Sequence, residues 1–191
     1  MAETVRILAI AGSLRRESYN RAALRAVEKL VPQGAILETF DLKGIPVFSQ
    51  DDELSPPPGV IELKRRVRAA DALLFSTPEH NFSIPAALKN AIDWGSRPSA
   101  DNCWAGKPAA IMGASSGRFG TARAQLHLRQ IFVYLDVFPI NKPAVLIGDA
   151  AHAFDAQGNL LDEKAKELIR QLLESLVAWT LRLRGGGKSK T

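Results

Sequence analysis

The chain has 191 residues, 46% of them hydrophobic and 24% charged, which suits one globular domain with a sizeable core. Its net charge of +5 is carried by scattered Lys and Arg residues, not by one aromatic-interleaved stripe, so no nucleic-acid partner is expected. A single cysteine, Cys103, excludes an intrachain disulfide, a four-cysteine zinc site and an iron–sulfur cluster, and the widely spaced His80, His127 and His152 give a metal site little support.

The first element is a continuous apolar run, Val5 to Ala11, that predicts a strand and empties directly into Gly12-Ser13-Leu14-Arg15-Arg16-Glu17-Ser18-Tyr19-Asn20. Beyond it, Ala23, Leu24, Val27 and Leu30 recur at helical spacing and predict a helix over Arg21 to Leu30. A strand, a polar loop and a helix in that order make an anion cradle. Gly12 permits the turn, Ser13, Ser18 and Asn20 offer short donors, Arg15 can fork onto phosphate oxygens, and the helix start directs free N–H groups at the same spot. The loop lacks the lysine of a Walker A sequence, the three glycines of a dinucleotide fingerprint and the cysteine of a low-molecular-weight phosphatase. It therefore reads as a holder of a terminal phosphate, with a second reading open: a polar cap on the helix through Ser18 or Asn20.

Further strands are predicted at Ile36 to Phe40, Ala72 to Thr77, Ala109 to Ala114 and Ala144 to Ile147, mostly continuous runs of the kind buried on both faces of a parallel sheet. Between them the apolar spacing predicts helices over Val60 to Ala70, from Pro85 to Trp94-Gly95, over Thr121 to Leu135, and from Asp162 to about Arg184. Ser55-Pro56-Pro57-Pro58-Gly59 reads as a stiff connection, and the segment from Gly185 to Thr191 as a flexible tail after a single domain over residues 1–184. No run approaches the roughly 20 apolar residues of a membrane span, and Met1 to Thr4 supplies no basic lead into a signal-peptide core, so no membrane insertion and a cytoplasmic location are expected. The alternation predicts an α/β fold, an open doubly wound parallel sheet with helices on both faces. Ligands of such sheets lie beyond the carboxyl ends of the strands, so the loops after the first, third and fourth strands are expected to converge.

The loop after the third strand, Thr77-Pro78-Glu79-His80-Asn81-Phe82-Ser83-Ile84-Pro85, leads into Leu88-Lys89-Asn90-Ala91-Ile92-Asp93-Trp94. Together with Gly12 to Arg15, this pattern resembles the NADPH-dependent FMN reductase family, which includes bacterial quinone and chromate reductases. The match covers Pro78, Glu79, Asn81 and Leu88 to Trp94 and departs at His80, where the family usually has tyrosine. In order along the chain the resemblance runs from Gly12 to Pro143, with Gln125 to Gln130 also similar.

The resemblance implies a flavodoxin-like five-stranded sheet of order 2-1-3-4-5 and bound FMN, with NADPH or NADH as co-substrate. It places the phosphate at Ser13, Leu14, Arg15, Ser18 and Asn20, and the ring at Pro78, Glu79, His80 and Asn81. Ser115, Ser116 and Gly117 of the glycine-rich loop after the fourth strand lie along the ring, and Arg118 faces incoming NADPH. Flavin performs the chemistry, so no catalytic side chain is expected. Small-molecule acceptors such as quinones or chromate, and assembly as a homodimer or homotetramer, are implied as well. Other readings of single residues stay open: Glu79 as a helix cap, Trp94 as core, and the third loop as an unliganded turn. An electron carrier on the same fold would usually be strongly acidic, unlike this chain, and a non-flavin binding module is a further alternative.

Overall fold

The computed structural model describes residues 4–186. Its centre is a parallel sheet in which β1 (Val5–Ala11) lies between β2 (Ala35–Phe40) and β3 (Ala72–Ser76), with β4 (Pro108–Ala114) beyond β3. The order β2-β1-β3-β4-β5 is the expected one. Strand order reverses between β1 and β3, which opens a crevice at their carboxyl ends.

Both faces of the sheet are covered, which explains why its strands read as unbroken apolar runs. Along β1, Val5, Ile7 and Ala9 pack on one side with α1 (Tyr19–Glu28) and α6 (Glu163–Gly186), whose Ile169, Leu172 and Leu176 are buried there. Leu8 and Ile10 face the other way, toward α2 (Pro58–Ala69), α3 (Ala86–Gly95) and α4 (Ala122–Leu135). This is the period-2 alternation of a strand applied to two apolar layers.

Three boundaries differ from the expectation. The fifth place in the sheet is shared by two short strands, β5 (Phe138–Pro139) beside the start of β4 and β6 (Val145–Ile147) beside its end. Phe138 and Ile140 donate their N–H groups to Lys107 and Ala109 at 2.9 Å before the chain leaves the edge through Asn141-Lys142-Pro143. Proline inside the run hides β5 from a pattern reading, since proline has no N–H for a ladder. Second, Pro58-Gly59 begins α2 and is not connector, because a proline at the first helical position gives up an N–H that would be unbonded anyway. Third, a four-residue helix, α5 (Ala150–Ala153), follows β6. The last helix continues to Gly186, and residues 187–191 of the expected tail lie outside the described residues. Among the described residues no helix is long and apolar enough to cross a membrane.

Candidate flavin site

The loops that leave β1, β3 and β4 are bonded to one another at the crevice. Gly12 donates its N–H to the Ser76 carbonyl at 2.8 Å, and Thr77 donates to the Met112 carbonyl at 3.0 Å. Gly113 has no room for a side chain: a Cβ there would stand 2.1 Å from Thr121 Oγ1 and 2.3 Å from the Thr77 carbonyl oxygen. The convergence expected from topology is thus enforced by backbone contact.

In the first loop, Ser18 is the N-cap of α1, its Oγ accepting from the Asn20 N–H at 3.2 Å. Ser13 Oγ accepts from the Arg15 N–H at 3.3 Å, which folds the loop back on itself. Ser13's carbonyl accepts from Arg21 Nε at 3.1 Å, and Arg21 is in turn held by Asp41 at 2.6 Å. Leu14 is half exposed and the Arg15 side chain extends into solvent, 3.8 Å from Glu17. Asn20, expected beside the phosphate, has partners within the protein. It is buried, its Nδ2 donating to the Ala114 carbonyl at 2.8 Å and its Oδ1 accepting from the Ala114 N–H at 2.9 Å. Ser76 Oγ also donates to Oδ1 at 3.2 Å. The amide therefore ties the start of α1 to the end of β4, engaging one of its two Nδ2 hydrogens and its Oδ1 within the protein.

In the second loop, His80 and Ser83 exchange backbone hydrogen bonds at 2.9 Å in both directions, closing a tight turn over Asn81 and Phe82. Both central residues have positive φ, 48° and 64°, the requirement of a type I′ turn. His80 and Asn81 are exposed, and Ser83 Oγ meets His127 Nδ1 at 3.0 Å. Pro78 is half-buried, its carbonyl accepting from Thr77 Oγ1 at 2.9 Å. Glu79 caps α4: its carboxylate accepts from the N–H groups of Arg123 at 3.0 Å and Ala124 at 3.2 Å. Arg123 Nε adds a bond at 2.5 Å. Thr121, the N-cap residue, makes no side-chain cap of its own, so Glu79 fills that role from another loop, where the helix dipole favours a negative charge. Burial raises the Glu79 pKa, but the Arg123 and Ala124 bonds outweigh it and hold the carboxyl below its usual value.

The third loop leaves β4 at Ala114 and turns along the mouth of the crevice. Ser115 Oγ donates to the Gly120 carbonyl at 2.5 Å and lies 3.2 Å from the Gly117 carbonyl, which closes the loop, while Ser116, Gly117 and Arg118 are exposed. Open space surrounds Gly117: the nearest atom to a Cβ there would be Ser115 Oγ at 3.8 Å. Ser115 to Gly117 line a cavity of about 350 Å³ together with Glu79, Asn81, Phe82, Phe119, Gly120 and Arg123. Its volume falls in the range of small-molecule and cofactor sites.

FMN fits these residues on chemical grounds. The N-terminus of α1, with Arg15 beside it and no acidic residue in its first turn, suits a phosphate. Ser115 to Gly117 line a cavity large enough for a flat ring. The histidine that replaces the family tyrosine stands on the same turn, its backbone fixed by Ser83.

Phe82, Phe119 and Arg123 were not among the residues singled out from sequence. The Arg123 guanidinium lies 3.7 Å from the centroid of the Phe82 ring and 5.5 Å from that of Phe119. The available signal was an aromatic residue in the second central position of a turn, where glycine is usual. Trp94 is core: it is buried and its Nε1 donates to the Pro46 carbonyl at 2.8 Å. Among the described residues no group of His, Cys, Asp and Glu could hold a metal ion.

Comparison with known proteins agrees with this geometry. An NAD(P)H-dependent FMN reductase of Pseudomonas aeruginosa is 56% identical over 97% of this chain and 100% of its own. An NADPH:quinone oxidoreductase of Arabidopsis thaliana is 45% identical over 95% of this chain and 94% of its own. The solved structure of FerB, a flavoenzyme NAD(P)H:(acceptor) oxidoreductase of Paracoccus denitrificans, superposes with a TM-score of 0.85 at 32% identity, covering 94% of this chain and 98% of that one. With the family model matching residues 5–152, the chain belongs to the NADPH-dependent FMN reductase family.

Proposed function

We propose that the protein is an FMN-dependent NAD(P)H oxidoreductase whose acceptors are quinones and related small molecules. The observation that carries this reading is the meeting of three loops at the β1/β3 reversal, the first leading into an anion-compatible helix start and the second and third lining an open cavity of about 350 Å³. The net reaction with a quinone balances as NAD(P)H + H⁺ + quinone giving NAD(P)⁺ + hydroquinone. Bound FMN supplies the hydride and electron chemistry.

The chain's own residues bind and orient. Arg15 and the N–H groups at the start of α1 hold the phosphate, while Ser13 and Ser18 shape the loop that carries them. Pro78 to Asn81 and Ser115 to Gly117 border the ring. Asn20 and Glu79 position those loops by fixing α1 to β4 and the second loop to α4. Arg118, exposed on the crown of the third loop, suits the negative charge of an incoming nicotinamide dinucleotide. The quinone class is supported by the Arabidopsis relative, whose name states it. Chromate as an acceptor, a homodimeric or homotetrameric assembly, a single domain with a short tail and a cytoplasmic location rest on the sequence reading.

Stopped-flow mixing of the FMN-loaded protein with NADPH, and separately with NADH, tests the proposal. Flavin absorbance bleaches with at least one donor and returns on adding a quinone. Persistence of the oxidised spectrum with both donors refutes the reading.

A further inference from the structure

Two phenyl rings stand exposed at the mouth of the cavity. Phe82 is 62% exposed and Phe119 70% exposed, on different loops, with the Arg123 guanidinium between them. Arg123 is itself anchored by the Glu79 carboxylate, so the ring nearest to it is held against a fixed cation. Phe82 occupies left-handed backbone at φ 64°, a conformation disfavoured for a residue with a Cβ. Its side chain fills no core, and an exposed cation–π contact returns less than left-handed backbone costs. Glycine would relieve the strain and suit the type I′ turn better. Strain of this kind without a packing reason is a mark of functional sites.

We propose that Phe82 and Phe119 form an acceptor platform that selects flat, aromatic or quinonoid acceptors by ring stacking, with Arg123 as the positioning residue that holds Phe82 in place. The platform rests on the oxidoreductase reading and names the class of acceptor which that site prefers. Both rings line the same cavity as Ser115 to Gly117, so a planar molecule on the platform lies beside the expected ring position. A flat acceptor offers an aromatic face to stack on, whereas a compact inorganic anion offers none.

The test uses the FMN-loaded full chain as wild type, as the double variant Phe82→Leu/Phe119→Leu and as Phe82→Tyr. Leucine keeps apolar bulk and removes the aromatic face. Three quantities are measured: calorimetric binding of 2-naphthol, a planar molecule that the enzyme does not reduce, and the KM values for menadione and for ferricyanide. In the double variant, 2-naphthol binding weakens and the menadione KM rises, each about tenfold, while the ferricyanide KM and the affinity for FMN stay within about twofold. Phe82→Tyr retains wild-type values. Equal changes for menadione and ferricyanide, unchanged 2-naphthol binding, or loss of FMN affinity overturns the platform. So does a shift of sedimentation coefficient in the double variant, which would assign the rings to a subunit contact. A wild-type protein that reduces neither acceptor defeats the oxidoreductase reading, and 2-naphthol binding still reports on the platform by itself.

Discussion

Replacing Asn20 by alanine removes the tie between α1 and β4. The side chain makes bonds of 2.8 and 2.9 Å to the two polar groups of Ala114 and receives a third from Ser76 at 3.2 Å. Alanine leaves the buried Ala114 N–H and carbonyl without those partners, at about 1–3 kcal/mol each, so the expected loss is about 2–6 kcal/mol. For a chain of this length, at about 2–4 °C per kcal/mol, that corresponds to a fall in Tm of roughly 4–24 °C. Differential scanning calorimetry on the FMN-free protein measures it without interference from ligand. Asn20→Asp sharpens the test. Its carboxylate can still accept from the Ala114 N–H but faces the Ala114 carbonyl with a second oxygen unless that oxygen is protonated. Burial and the carbonyl both raise the folded-state pKa of such a group above its unfolded value of about 3.9. Its stability is therefore greatest below that value and falls as pH rises through the folded pKa. A Tm for Asn20→Ala within about 2 °C of wild type, or an Asn20→Asp variant that gains stability with rising pH, refutes the reasoning.

Arg15→Ala weakens FMN by about tenfold and leaves riboflavin, which has no phosphate, almost unchanged; equal losses in fluorescence titration would contradict the phosphate assignment. Glu79, held below its usual pKa by Arg123 and Ala124 in spite of burial, contributes stability that is present above its unfolded pKa of 4.5 and is lost as pH falls through the lower folded value. Tm measured down the acid limb therefore falls less steeply for Glu79→Gln than for wild type, and parallel curves would count against the clamp. Cys103 is buried, and burial pushes its thiol up to about 12. It is expected to resist a disulfide reagent in native protein and to react at once in denaturant, with NADPH oxidation unaffected by prior alkylation treatment; rapid native labelling would contradict its burial.

Much of the fold was legible in the sequence because parallel strands covered on both faces leave unbroken apolar runs, and Val5–Ala11 is such a run. The positions of the three loops followed from topology, and the motifs from Gly12 and Pro78 named the ligand. Periodicity could not reveal β5, because Phe138–Pro139 is too short and contains a proline. Nor could it assign the polar residues their partners.

Asn20 and Glu79 have the side chains of ligand-binding residues, and both lie in ligand-binding motifs. Their partners are Ala114, 94 positions away, and Arg123, 44 positions away. Which polar group satisfies which is decided where the chain crosses itself, and sequence spacing carries no trace of it. The three converging loops and the family they signal were thus legible in the sequence alone. Only the tertiary structure decided that Asn20 and Glu79 tie loops together, and that Phe82 and Phe119 line the cavity alongside Glu79, since buried polar groups must find partners while exposed rings need none.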